Sequence, residues 1–184
     1  LSSSSWRATS AVNALPIPRA MSAPWPVCTA NEKRTSTMSS SIGVTDAIKF
    51  IYDLRNNDYS KIAVGDKVAV IGMGMTAIDA ATQAKRLGAS EVHLVYRRTQ
   101  DEMPCTEKEL NIAKLDGCNI IWLAAPKEII GNGENVSQLI CDVMELGAPD
   151  ASGRRSPIAT GETFTLDVDM VIKAAGQMPF ADMV

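Results

Sequence analysis

Residues 67–98 read KVAVIGMGMTAIDAATQAKRLGASEVHLVYRR, and this stretch decides the fold. Lys67–Ile71 is a short β-branched run bounded by Gly65-Asp66 and Gly72, the pattern of a strand buried on both faces. Thr76 to Leu87 reads as a helix. Ala77, Ala80, Ala81, Ala84 and Leu87 share one face, and small residues there let a helix lie close against a sheet. Lys85 and Arg86 occupy its last turn, where they favour the negative dipole end, and Gly88 is the expected C′ residue. Glu91–Tyr96 is the next strand.

The same alternation continues outward. Val44, Ala47, Ile48, Ile51 and Leu54 follow helical spacing, so a helix is expected from Val44 to Arg55. Thr106 and Glu109 form a capping box that opens a helix toward Leu115, stopped by Asp116-Gly117. Asn119–Leu123 is a third strand. Strand, helix, strand, helix, strand implies right-handed crossovers and a parallel sheet. The pattern then changes. Lys127–Ile130, a Gly131-Asn132-Gly133 turn and Val136–Glu145 read as a β-hairpin, Pro149–Gly153 as a loop, and Thr163–Leu166 and Asp169–Ala175 as strands. The expected fold class is α/β: a Rossmann-like, three-layer parallel sheet with an antiparallel β excursion.

Composition narrows the function. The chain has 184 residues, a net charge of −3 and a pI near 5.2, which gives no electrostatic case for nucleic acid or an anionic membrane. No stretch approaches the ~18 uninterrupted apolar residues needed to span a bilayer. Cys28, Cys105, Cys118 and Cys141 stand far apart, which argues against a disulfide scaffold, a zinc ribbon, a cluster site or a redox dithiol. The cytoplasm is the expected compartment. His93 is the only histidine and reads as a structural strand residue. Residues 1–43 hold ten Ser and only Glu32 as an acid, so this segment is expected to be disordered or loosely attached. Its Ser- and Arg-rich character also fits an organelle transit peptide. The expected domain spans 44–180, with 181–184 as the start of a further segment. The first residue is Leu, so the chain is expected to be a fragment.

The chemistry begins where the first strand of residues 67–98 ends. Gly72-Met73-Gly74-Met75-Thr76-Ala77 is a GxGxxA turn between a strand and a helix, the setting that a dinucleotide site requires. Gly72 permits the sharp turn. Gly74 lets a pyrophosphate reach the backbone with no Cβ in the way, and Ala77 keeps helix and strand close. Free N–H groups at the helix start then hold the phosphates. Arg97 lies 25 residues after Gly72, about where an NAD or FAD site places a carboxylate for the ribose. Here Arg97 and Arg98 offer two guanidiniums instead, which favours a 2′-phosphate and hence NADPH. Ala174, Ala175 and Gly176 end the last buried strand, where small residues would let the chain pass close to the nicotinamide half.

These segments, with AAPKEIIG, MELGAPDASGRR and ETFTLDVDMVIKAAGQ following in order, resemble the NADPH-binding domain of the glutamate synthase small-subunit family. That family includes the FAD/NADPH half of dihydropyrimidine dehydrogenase. The resemblance covers about residues 44–180. It implies an NADPH domain inserted between two halves of an FAD domain, with a hydride passing from NADPH to FAD and electrons leaving through iron–sulfur clusters. The implied partners are the rest of the FAD domain and an iron–sulfur or large catalytic subunit. By resemblance, Gly72, Gly74, Met75, Thr76 and Ala77 match the pyrophosphate turn. Arg97 and Arg98 match the 2′-phosphate clamp, and Ala174, Ala175 and Gly176 match the strand-end nucleotide contact. Met75 departs from the Asn or Asp of many members, which leaves it the backbone role. The isolated chain is expected to be inactive.

Two other classes stay open at this point. A direct NADP-dependent dehydrogenase of a small carbonyl would need a proton donor, for which Lys173 and Tyr96 are the nearby candidates. A non-catalytic module that couples NADPH binding to a partner would need the nucleotide turn alone.

Overall fold

Val68, Ala69, Val70 and Ile71 are buried from both sides of a five-stranded sheet, which is why this run lacks polar alternation. The computed structural model describes residues 43–131 and 135–175. In chain order the elements are β1 (Val44–Asp46), α1 (Ala47–Asn56), β2 (Lys67–Ile71), α2 (Met75–Arg86), β3 (Glu91–Tyr96), α3 (Glu107–Leu115) and β4 (Asn119–Trp122). There follow β5 (Ala124–Gly131), β6 (Val136–Pro149), β7 (Arg155–Asp167) and β8 (Met170–Lys173). The expected segment before Gly43, the centre of the Gly131-Asn132-Gly133 turn, Gly176 and the expected return at 181–184 lie outside the described residues.

The first sheet runs β1-β8-β2-β3-β4, with every pair parallel. β5, β6 and β7 form a second, antiparallel sheet. Side-chain alternation along β2 separates the two cores. Val68 and Val70 pack with Phe50 and Leu54 of α1, the alanines of α2, and Leu110 and Ala113 of α3. Ala69 and Ile71 point the other way, onto Leu139, Cys141 and Val136 of the antiparallel sheet. The three layers are therefore helices, parallel sheet and antiparallel sheet, so the excursion foreseen in the sequence supplies the third layer itself.

Local signals explain the helix ends. α2 and α3 both close with a left-handed glycine, Gly88 at φ 111° and Gly117 at φ 83°. Each satisfies orphan carbonyls through paired bonds, Ala89 N–H to Ala84 O and Gly88 N–H to Lys85 O in the first, Cys118 to Ala113 and Gly117 to Lys114 in the second. Thr106 and Glu109 form the expected reciprocal cap of α3. α2 lies against the sheet through Ala77, Ala80, Ala81 and Ala84, none of which retains any exposure.

Several boundaries are corrected: β7 begins at Arg155 rather than Thr163, β6 runs on to Pro149, and β8 stops at Lys173. The helix expected from Val44 starts at Ala47, because Val44–Asp46 pairs with Val171–Lys173 as an edge strand. Asp46 is the N-cap, in extended geometry, and its carboxylate accepts from the Ile48 N–H at 2.8 Å. Three residues are too few to show a period of their own. The buried face also turns, with Phe50 inside and Ile48 43% exposed. The third strand ends at Trp122, not Leu123. Leu123 sits at φ 53° and steers the chain from one sheet into the other. Its N–H donates to Arg98 O at 3.2 Å and its carbonyl accepts from Met144 N–H at 2.8 Å, so both sheets hold it there.

The alanine face leaves no room for a larger side chain. Ala81→Leu is expected to lower stability by about 1–3 kcal/mol through overpacking, whereas Asp79→Leu on the exposed face changes it little. Urea unfolding of the two variants checks this.

Candidate functional site

Three chain segments leave the parallel sheet at the same edge. β2 runs into Gly72–Gly74, β3 into Arg97-Arg98, and β8 into Ala174-Ala175. Because the strands are parallel, their carboxyl ends open together, and the sheet changes direction here: β3 lies on one side of β2 and β8 on the other. All three segments line one cavity of about 560 Å³.

Gly72 is the tightest point. Its N–H donates to Val95 O at 3.0 Å, and Ala174 N–H donates to Ile71 O at 2.9 Å. Gly72 lies at φ 131°, and a Cβ there would stand 3.1 Å from the Ala174 carbonyl oxygen. Both the backbone angle and the close approach require glycine. At Gly74 an added Cβ would meet nothing within 4 Å, so the backbone faces open space. Gly74 is the N-cap of α2 and has no side chain to cap it. The turn of α2 closes on the Gly74 carbonyl, which accepts from Ala77 and Ile78 at 2.9 and 3.1 Å. The N–H groups of Met75 and Thr76 precede these in the first turn. Met75 is 61% exposed, while Ala77 is fully buried beneath the turn and does not line the cavity.

Arg97 and Arg98 are both half-buried. The Arg98 Nε is buried with no hydrogen-bond partner among the described residues. Burial, and then the neighbouring Arg98 and Arg154 cations, draw the Arg97 guanidinium below its ordinary value. The segment that follows is anchored independently of them. Glu102 accepts from both the N–H and the hydroxyl of Thr99, and these bonds hold its carboxyl below the usual range. Glu102 is therefore the partner of Thr99, in the capping box of a single short turn at Gln100–Glu102. Tyr96 packs edge-to-face on Trp122, with ring centroids 6.1 Å apart, and donates its hydroxyl to Glu102 O at 2.7 Å. Burial pushes its phenol up, against the pull of Arg98 and Arg97.

The sequence reading missed part of this cavity. Arg154 comes from the β6–β7 connection, Ala124 and Pro126 from β5, and Pro104 from the segment after Arg98. Only the packing of the antiparallel sheet brings Arg154, Ala124 and Pro126 here, so no local pattern marks them. Lys173, one of the two proton donors considered for direct carbonyl reduction, is exposed and does not line the cavity. Tyr96 lines it with its hydroxyl committed to Glu102 O.

A family of known proteins matches residues 30–183, described as pyridine nucleotide-disulphide oxidoreductase. The chain belongs to this family. Among curated relatives, the beta subunit of the NADP(+)-dependent formate dehydrogenase of Moorella thermoacetica is 40% identical over 136 residues, covering 73% of this chain and 19% of that protein. The glutamate synthase [NADPH] small chain of Azospirillum brasilense is 39% identical over 118 residues, covering 64% of this chain and 24% of the relative. The chain thus spans about a quarter or less of these two relatives. Among solved structures, Mycobacterium tuberculosis FprA in complex with NADPH superposes with a TM-score of 0.60 at 19% identity, over 78% of this chain and 47% of that one. The thioredoxin reductase of T. acidophilum gives 0.53 at 17%, over 76% and 38%. At these identities the likeness is one of fold. No helix among the described residues is long and apolar enough to cross a membrane.

The cysteines among the described residues take no part in the cavity. Cys105, Cys118 and Cys141 are free and buried, and burial raises the last two thiols to about 11 and about 12. A thiol raised above the 9.0 of an unhindered one favours the fold fully below pH 9 and withdraws that support as pH climbs through its folded value. The thermal midpoint is therefore expected to fall between about pH 9 and about 12. A Cys118→Ala/Cys141→Ala variant should start lower but show a shallower fall over that window.

Proposed function

We propose that this chain is the NADPH-binding module of a flavoprotein oxidoreductase of the glutamate synthase small-subunit type. One observation carries the reading. A half-buried guanidinium pair, with Arg98 Nε lacking a partner among the described residues, lines the same cavity as the bare Gly74 backbone at an uncapped helix start. That donor set fits a dinucleotide with an additional phosphate. It offers N–H groups and a helix dipole at one end and planar, permanently charged forks at the other.

Each residue has a distinct task on this reading. Gly74 admits the pyrophosphate, and the Met75 and Thr76 N–H groups donate to it. Gly72 shapes the turn, and Ala77 keeps α2 seated beneath it. Arg97 and Arg98 hold the 2′-phosphate through charge-assisted hydrogen bonds. Ala174 and Ala175 leave space for the nicotinamide half. When bound, the nucleotide would supply the hydride that reduces an FAD, whose electrons would go on to iron–sulfur clusters, both groups being held outside the described residues. The chain's own contribution is binding and orientation, which needs no acid–base side chain. The names of the relatives, a beta subunit and a small chain, support a partner subunit that completes the reaction. Free thiols support a reducing compartment, and we take it to be the cytoplasm.

Calorimetric titration of the chain with NADPH and NADH tests the reading. NADPH is expected to bind more tightly. Arg97→Ala or Arg98→Ala should weaken NADPH by about 1.5–3 kcal/mol while leaving NADH nearly unchanged. Equal affinity of the unaltered chain for both nucleotides would remove the 2′-phosphate assignment.

A further inference from the structure

Arg154 shares the cavity with Arg97 and Arg98, although it comes from the turn that joins two strands of the antiparallel sheet. The described residues that line the cavity include these three arginines and no carboxylate. Gathering like charges is unfavourable unless an anion is present to take them up. Arg97 and Arg98 are neighbours in sequence, so a strand end explains their pairing. A third cation delivered by another sheet requires a separate cause.

The turn that carries Arg154 is firmly built. The Asp150 Oδ1 accepts from the Ser152 N–H at 2.8 Å, the Ser152 hydroxyl at 2.6 Å and the Arg154 N–H at 3.0 Å. The Asp150 N–H donates back to Arg154 O at 2.9 Å, and Gly153 at φ 80° donates to Asp150 O at 2.8 Å. These bonds hold the Asp150 carboxyl below its usual range, the Ser152 hydroxyl contributing most. The backbone of residue 154 is thereby fixed, and its side chain is left to reach the cavity.

We propose that Arg154 is a specificity-determining residue: its guanidinium joins Arg97 and Arg98 on the 2′-phosphate of the nucleotide, and Asp150 is the positioning residue of the turn that delivers it. This rests on the NADPH reading above. A terminal phosphate presents three oxygens, enough for three separate guanidinium partners. Cofactor choice then depends on the antiparallel sheet as well as on the parallel one.

The test titrates the full 184-residue chain with NADPH, NADH, adenosine 2′,5′-bisphosphate and 5′-AMP at low and high salt. Arg154→Ala is expected to weaken NADPH and the bisphosphate roughly tenfold, the scale of one charge-assisted hydrogen bond, and to leave NADH and 5′-AMP unchanged. It should also flatten the salt dependence of NADPH binding. Arg155→Ala, one residue further on, should keep the NADPH-to-NADH ratio. Asp150→Ala should shift that ratio in the same direction as Arg154→Ala, by less. If Arg154→Ala leaves the ratio intact while Arg98→Ala abolishes it, the role of Arg154 is overturned and the nucleotide reading stands. A chain that shows no preference for NADPH at all overturns both. An Asp150→Ala variant with an unaltered ratio removes the positioning role alone.

Discussion

The close approach of two strand ends governs what is built above them. Ile71-Gly72 and Lys173-Ala174 lie side by side in a parallel sheet, joined by the Ala174 N–H to Ile71 O bond. No side chain fits between them, because a Cβ on Gly72 would press on the Ala174 carbonyl. That contact lets β2 turn sharply into α2 and brings Ala174 and Ala175 against the same cavity. The other glycine of the turn does the opposite work. Gly74 faces open space, so its lack of a side chain leaves backbone accessible where Gly72 allows backbone to close. Two glycines two residues apart thus serve contrary steric ends.

Electrostatics at this edge are as uneven as the sterics. The uncapped start of α2 offers partial positive charge, and Arg97, Arg98 and Arg154 add three whole ones, with no carboxylate among the described lining residues. Two acids nearby are occupied locally. Glu102 turns to Thr99, and Asp150 is consumed by its own turn. These two carboxylates are thus engaged within their own segments while the arginines line the cavity, an arrangement that suits the proposed phosphate-rich ligand. The opposite end of the sheet follows the reverse logic. Asp169 there accepts from the Asp66 and Lys67 N–H groups at 2.9 and 3.0 Å and ties β2 to β8.

Much of the architecture was legible because its signals are local. β-branched runs bounded by glycine, an alanine face, a capping box and C′ glycines each act within a few residues, and the strands and helices formed where those signals stand. The failures share one cause. Val44–Asp46 became a strand because β8, more than a hundred residues later in the chain, supplies its partner. Leu123 left its strand because Arg98 and Met144, on different elements, hold its backbone in a left-handed turn. Neither influence leaves a trace in the neighbouring sequence.

The sequence by itself determined the alternation of strand and helix, the turn at Gly72–Ala77 and the guanidinium pair at residues 97 and 98. Each depends on bonds or steric limits spanning only a few residues. Tertiary structure alone decided that the third layer is a sheet, that three strand ends open onto one cavity, and that Arg154 joins it. Those outcomes follow from burying the second face of the parallel sheet. That face is covered only when Leu139, Cys141 and Val136 of a distant segment pack onto Ala69, Ile71, Val95 and Val171.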